Sequence, residues 1–176
     1  VQNNFSACLN FTLSEEGLLS LDQHDPGNWT SGKPGVGLLN GTNYGISAAA
    51  YPYLDIKSLT KIQASAIYER DYWTPSHCPD LPLGVDCVVF DTAVNAGPGR
   101  AAKLLQAAVG VVADGDIGPV TLYAVGKMAP ADLIGAFTKF RIGFYNTMAD
   151  AALYAGPLVA RAKRCQAAAL GMCGAD

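Results

Sequence analysis

Glu16 and Asp25 stand nine positions apart, with Asp22 and His24 between them and Thr42 beyond a glycine-rich stretch. Two carboxylates in unlike surroundings are the usual equipment for acid–base cleavage. One, kept protonated, donates to a leaving oxygen, while the other stays ionised and directs water or attacks the carbon. Hydrolysis of a glycosidic bond needs that pair about a cleft and no imidazole. His24 therefore reads as a neighbour of the site, and Asp22 competes with Asp25 for the role of second carboxylate.

The elements that position these groups follow from residue spacing. Phe5, Cys8, Leu9, Thr12, Leu13 and Glu16 recur at helical intervals, which predicts an amphipathic helix with Glu16 at the C-terminal end of its buried stripe. Glu15 points about 100° away and is expected to face solvent. Gly17 can supply the helix stop. Partial desolvation at such a helix end favours the protonated carboxyl, the form that an acid must hold. Residues 18–47 contain many Gly, Asn, Pro and Thr, with a turn at Asp25-Pro26-Gly27, and predict a loop followed by a small β-ribbon or flap. Asp25, in this polar turn, is the carboxylate expected to remain ionised. Trp29 and Tyr44 are aromatic groups able to stack on sugars or to pack.

The rest of the chain predicts helices. A short one is expected at Ala48–Tyr51, and another opens with a Thr60/Gln63 capping box and runs to about Trp73. A nearly all-apolar helix from about Leu83 to Asn95 is the expected centre of the core. Its two polar residues, Asp91 and Asn95, share a face, where they either line a cleft or satisfy each other in the interior. After Gly97-Pro98-Gly99 come an amphipathic helix through Leu104 and Leu105, a turn at Asp114-Gly115-Asp116 and a further helix. A longer helix then opens at Pro130, and a last one spans about Pro157 to Leu170.

Composition narrows the classes. With 176 residues, half of them hydrophobic and 15% charged, the chain can bury a substantial core. It starts at Val1 rather than Met, as a trimmed product would, and export is compatible with that start. The net charge of −3 divides into −5 over residues 1–90 (9 acidic, 4 basic) and +2 over residues 91–176 (6 acidic, 8 basic). That is too weak a basic field for a nucleic-acid binder. The clusters Arg100/Lys103 and Arg161/Lys163/Arg164 either form solvated helix faces or favour an anionic polymer. Five cysteines, Cys8, Cys78, Cys87, Cys165 and Cys173, lack metal-type spacing. They either form two local disulfides, Cys78–Cys87 and Cys165–Cys173, or remain as packed thiols. Four Asn-x-Ser/Thr sequons start at Asn4, Asn10, Asn28 and Asn40.

An ordered series of motifs resembles the glycoside hydrolase family 108 muramidases. It begins with Glu16-Gly17, Asp22-x-x-Asp25-Pro26-Gly27 and Gly41-Thr42-Asn43-Tyr44-Gly45-Ile46-Ser47. It continues through Ile67–Trp73, Leu81-Pro82-Leu83-Gly84-Val85 and Val89–Arg100. From about Ala93 the chain resembles the predicted peptidoglycan-binding domain that follows in this family, carried by Leu105-Gln106, Asp114–Pro119 and Thr121. Gly17-Leu18-Leu19 stands where the family commonly has Gly-Gly-Tyr. Phage-type lysozymes are similar in the Glu16-to-Asp25 spacing, with Thr42 in the third role after an insertion at Trp29–Asn40.

This resemblance implies a mainly α (α+β), lysozyme-like fold with a small β-hairpin lobe. It implies a catalytic domain over residues 1–92 and a helical peptidoglycan-binding domain over 93–176. The implied reaction is cleavage of the β-1,4 bond between N-acetylmuramic acid and N-acetylglucosamine. Glu16 is then the acid, Asp25 the base or electrostatic partner, and Thr42 a holder of the attacking water. Substrate contacts are expected from Asp22, Tyr44, Tyr72, Trp73, Asp91 and Asn95. The expected partner is the glycan strand of peptidoglycan, met by a secreted or periplasmic monomer. No cofactor, metal, nucleic acid or membrane span is expected. A silent wall-binding or secretion-associated protein and a lytic transglycosylase are the competing readings.

Overall fold

The computed structural model describes residues 4–17, 19–148 and 151–173. It is mainly α-helical and lysozyme-like, with one small antiparallel sheet. Helices are α1 (Phe5–Glu15), α2 (Lys61–Tyr68), α3 (Val85–Ala96), α4 (Pro98–Val109), α5 (Pro119–Val125), α6 (Pro130–Asn146) and α7 (Ala151–Cys173). Strands β1 (Thr42–Asn43) and β2 (Ile46–Ser47) pair in the register Thr42 to Ser47 and Asn43 to Ile46. Residues 12–67 form one compact unit, and residues 1–11 with 68–176 form another.

In the larger unit α3 is the core helix, and every residue from Val85 to Ala93 is buried. It packs with α4, α6 and α7. The aromatic rings of Phe5, Trp73 and Phe90 meet with centroids 5.2–5.9 Å apart, in tilted and edge-on arrangements. Gly84, with φ of +82°, lets the start of α3 approach α7, where a Cβ would collide with the carbonyl oxygen of Ala169 and the Cys173 sulfur. The domain boundary expected at 92/93 falls inside α3, which continues to Ala96.

One buried ion cluster ties three of these helices together. Asp91 on α3 is fully buried and accepts from Arg141 Nη2 on α6 at 2.7 Å and from Arg161 Nη2 on α7 at 2.8 Å. Arg161 Nε adds a bond of 3.1 Å, and Arg141 Nε donates to the Tyr145 hydroxyl at 2.8 Å. Burial alone would raise the Asp91 pKa, but the two guanidinium groups outweigh it and hold the carboxyl below its usual value. Arg161, expected on a basic surface cluster, is thus largely internal, whereas Lys163 and Arg164 are exposed.

Three further expectations change, and one open alternative is decided. Ala48–Tyr51 forms turns rather than a helix, closed by Tyr51 N–H donating to Ser47 O at 3.0 Å. α7 begins at Ala151 and carries Pro157 within it rather than at its start. The residues following α2 continue as a π-helical turn, Glu69–Trp73, after the expected Thr60/Gln63 capping box. The five cysteines are thiols, not disulfides: Cys8, Cys78, Cys87 and Cys165 are buried and Cys173 is partly so. Cys87 sits between Cys8 and Cys165 in a hydrogen-bonded row of sulfurs.

Removing one partner from a buried ion cluster strands the opposing charges. Asp91→Asn is therefore expected to cost roughly 3–5 kcal/mol of stability in urea unfolding at pH 7. A second test uses Asp86, a buried residue in the first turn of α3 that accepts from Gly84 N–H, Cys87 N–H and Asn4 Nδ2. Burial pushes its pKa up to about 6. The folded state therefore binds this proton between about pH 4 and 6 while the unfolded chain releases it, so stability falls as pH rises through that window. The expected fall is on the order of 2–3 kcal/mol, and Asp86→Asn should flatten it. An unchanged slope in the variant would contradict the assignment.

Candidate active site

Glu16 follows immediately after the last residue of α1, at a bend. The stripe that leads to it is buried at Phe5, Cys8, Leu9 and Thr12, so the helix delivers the residue from its packed face. Glu15 and Glu16 are both half-buried, and the contrast expected between them is absent. Gly17 follows the helix without the left-handed backbone of a glycine cap.

Four residues past the bend, the chain is caught by the β lobe. Ser20 and Thr42 form an antiparallel bridge, with N–H to O distances of 2.8 and 3.0 Å in the two directions. Gly41, with φ of +90°, makes this approach possible, because a Cβ there would lie 2.6 Å from Ser20 O. Beyond Thr42 the hairpin turns at Tyr44 and Gly45, with φ of 53° and 75°. Positive φ at both central residues is the geometry of a two-residue type I′ hairpin, which matches the strand twist.

The acidic turn between Ser20 and Thr42 is fastened from both sides. Asp25 N–H bonds to Asp22 O at 3.2 Å, and the Asp25 side chain caps the 3₁₀ turn Pro26–Asn28 by accepting from Gly27 N–H at 2.8 Å. Trp29 Nε1 donates to Gln23 O at 2.8 Å. The Asp22 carboxylate accepts from the backbone N–H and ring Nδ1 of His24, and the backbone bond, with the ring, lowers its pKa. Both Asp22 and Asp25 are exposed carboxylates on this rigid turn.

The turn depends on Asn28, which spacing alone did not single out as a site residue. It is fully buried. Its Nδ2 donates to Asp22 O at 2.9 Å and Ser20 Oγ at 3.3 Å, while its backbone oxygen receives the N–H groups of Asn40 and Gly41 at 3.0 and 2.9 Å. The amide orientation is fixed because the Asp22 carbonyl can only accept. One residue thus joins the two, its side chain holding the acidic turn and its backbone oxygen holding the segment that leads into β1. Asn40 and Asn43 act similarly, donating to the backbone oxygens of Leu54 and of Ile56 and Leu59. The available signal was the density of asparagines at turn positions. The sequon at Asn28 is a structural residue, since a buried amide offers no glycosylation site.

Glu16, Asp22, Asp25, Thr42 and Tyr44 all belong to the 12–67 unit. Of the remaining expected contacts, Tyr72 and Asn95 are half-buried. Trp73 and Asp91 need correction as substrate contacts: Trp73 is 2% exposed within the aromatic cluster and Asp91 is 0% exposed in its ion cluster. Asn95 Nδ2 donates to the Asp91 backbone oxygen, so their shared helix face is satisfied internally. Among the described residues no group of three or more His, Cys, Asp or Glu could hold a metal.

The family model Glycosyl hydrolase 108 matches residues 9–97, just over half of the chain. The chain belongs to glycosyl hydrolase family 108. A second model, Predicted Peptidoglycan domain, matches residues 100–164 of this family 108 chain. The solved structure of SagA from Brucella abortus is similar over 97% of this chain and 96% of that chain, at 32% identity and a TM-score of 0.81. No curated protein matches. The two family models make this a glycoside hydrolase directed at peptidoglycan. In the second matched region, buried Gln106 clasps the Asp114–Asp116 loop, donating to Asp114 Oδ1, Asp116 O and Thr121 Oγ1 and accepting from Gly115 N–H. The motif residues there hold a loop together.

Asn28→Ala should lower stability by roughly 1–3 kcal/mol, because it removes the bonds from Nδ2 to the Asp22 carbonyl and to Ser20 Oγ and leaves a gap at a fully buried position. Asn28→Asp should cost at least as much, since a carboxylate cannot donate to that carbonyl. Urea unfolding of both variants, with limited proteolysis between residues 20 and 42, checks this; wild-type resistance in either would remove Asn28 from the role.

Proposed function

We propose that this family 108 chain is an N-acetylmuramidase that cleaves the β-1,4 bond between N-acetylmuramic acid and N-acetylglucosamine. Glu16 serves as the general acid, Asp25 as the base or electrostatic partner, and Thr42 helps to hold the attacking water. The observation that carries this reading is a hydrogen-bonded connection within the 12–67 unit: Glu16 directly follows the end of α1 at Glu15, Ser20 bridges to Thr42, and Asp25 lies on the turn that Asn28 ties down. A half-buried carboxyl at a helix end and an exposed carboxyl on a polar turn are two unlike environments, the condition for dividing acid and base roles.

Protonated Glu16 donates to the glycosidic oxygen as the bond breaks. Positive charge then develops on the sugar ring, and water held near Thr42 and Asp25 completes hydrolysis. Asp25 is favoured over Asp22 because the Asp22 carboxylate already faces the His24 ring at 3.1 Å. Tyr44, on the I′ turn that follows β1, is the first candidate for a sugar contact, and Tyr72 and Asn95 are the others. The enzyme acts on glycan strands outside the cytoplasm as a secreted or periplasmic monomer, and no helix among the described residues is long and apolar enough to cross a membrane.

Glu16→Gln keeps the side-chain shape but removes the transferable proton. Release of reducing ends from purified cell walls should fall by at least about 10²–10⁴-fold with the melting temperature unchanged. Asp25→Asn should lower turnover more than Asp22→Asn does. Near-normal turnover by the Gln variant would sink the assignment, and anhydro-muramic ends in the wild-type products, read by mass spectrometry, would replace hydrolysis with transglycosylation.

A further inference from the structure

Helices α4 and α6 pack together and leave a groove of about 650 Å³ between them. Its walls are apolar at Leu104, Phe140 and Phe144, and Phe140 is 44% exposed. Two cations stand in it: Arg100, whose guanidinium lies 4.6 Å over the Phe144 ring, and exposed Lys139. No carboxylate lines the groove, and among the described residues neither cation is ion-paired. Gly143, exposed, also lines the groove, and a Cβ built there meets nothing within 4 Å. All of these residues lie in the region matched by the Predicted Peptidoglycan model.

The ligand class follows from this chemistry. N-acetylated glycan strands are uncharged and are bound through many neutral hydrogen-bonding groups, of which this groove offers only the Thr147 side chain. The carboxylates of peptidoglycan are carried by its stem peptides, together with methyl and methylene groups. Arginine pre-oriented on an aromatic ring is well suited to a planar carboxylate, and lysine adds a second point charge. We propose that the α4–α6 groove binds the acidic stem peptide of peptidoglycan, with Arg100 and Lys139 receiving its carboxylates and Phe140 and Phe144 its apolar groups. This assignment rests on the wall-directed reading of the chain, and it gives the Arg100 part of the basic second half a specific partner.

The test is an NMR titration of the full chain with two probes: the free tetrapeptide L-Ala–D-Glu–diaminopimelate–D-Ala, and the uncharged N-acetylated disaccharide N,N′-diacetylchitobiose. The tetrapeptide should shift amide signals of α4 and α6, and should do so more weakly at high salt. Arg100→Gln with Lys139→Gln should weaken the peptide by about tenfold or more, as loss of a charged contact does. Gly143→Leu, which adds bulk at an exposed lining position where a Cβ meets nothing within 4 Å, should weaken it comparably at wild-type melting temperature. The proposal is overturned if the tetrapeptide leaves these amides unmoved, if both variants bind it as the wild type does, or if the disaccharide shifts the same amides as strongly. Because no bond is cleaved in this titration, its outcome is separate from the reducing-end assay, which judges the hydrolase reading.

Discussion

The ion cluster centred on Asp91 is the constraint on which the larger unit depends. A carboxylate with no exposed surface is tolerable only if its charge is answered, and Arg141 and Arg161 answer it from two different helices. The result fixes α3, α6 and α7 in rotation and height as nonspecific packing would not, since apolar side chains accept many registers. Around it, the apolar stretch of α3 and the ring cluster of Phe5, Trp73 and Phe90 supply burial without direction. The three thiols Cys8, Cys87 and Cys165 fill a buried row beside it.

The 12–67 unit solves a different problem. With only two-residue strands, it has too little ladder to hold a loop rigid. Its order comes instead from asparagine side chains that bond to backbone carbonyls: Asn28 to Asp22, Asn40 to Leu54, and Asn43 to Ile56 and Leu59. Such bonds replace the missing ladder partners and leave the acidic turn with a defined shape while its carboxylates face water. A turn built this way suits catalysis, because the groups that hold it are separate from the groups it presents.

Much of this was legible from residue order. The helical stripe ending at Glu16, the capping box at Thr60 and Gln63, the buried helix around residues 83–95 and the turn at Asp25-Pro26-Gly27 all appear where local spacing placed them. Each depends on neighbours within about one or two helical turns, so the pattern is complete in the local sequence. Asp91 and Trp73 were misread because polarity and aromaticity suit a binding cleft and a satisfied core equally well. For Asp91 the difference lay in Arg141 and Arg161, fifty and seventy residues away, and for Trp73 in the rings of Phe5 and Phe90. Asn28 went unnoticed as a positioning residue for the same reason: a buried amide and a surface sequon have the same letters.

By itself, the sequence determined the α-rich lysozyme-like class, the acidic stretch from Glu16 to Asp25 and, through ordered motifs, membership of family 108. These follow from periodicity, turn chemistry and motif order, which are properties of the chain alone. Only the tertiary structure decided which polar groups are buried and by what they are answered. It joined Ser20 to Thr42, tied the acidic turn through Asn28, withdrew Asp91 into the core and opened the α4–α6 groove. Burial and pairing are set by atoms distant in sequence, and a residue's charge acquires its meaning only when those atoms have been brought beside it.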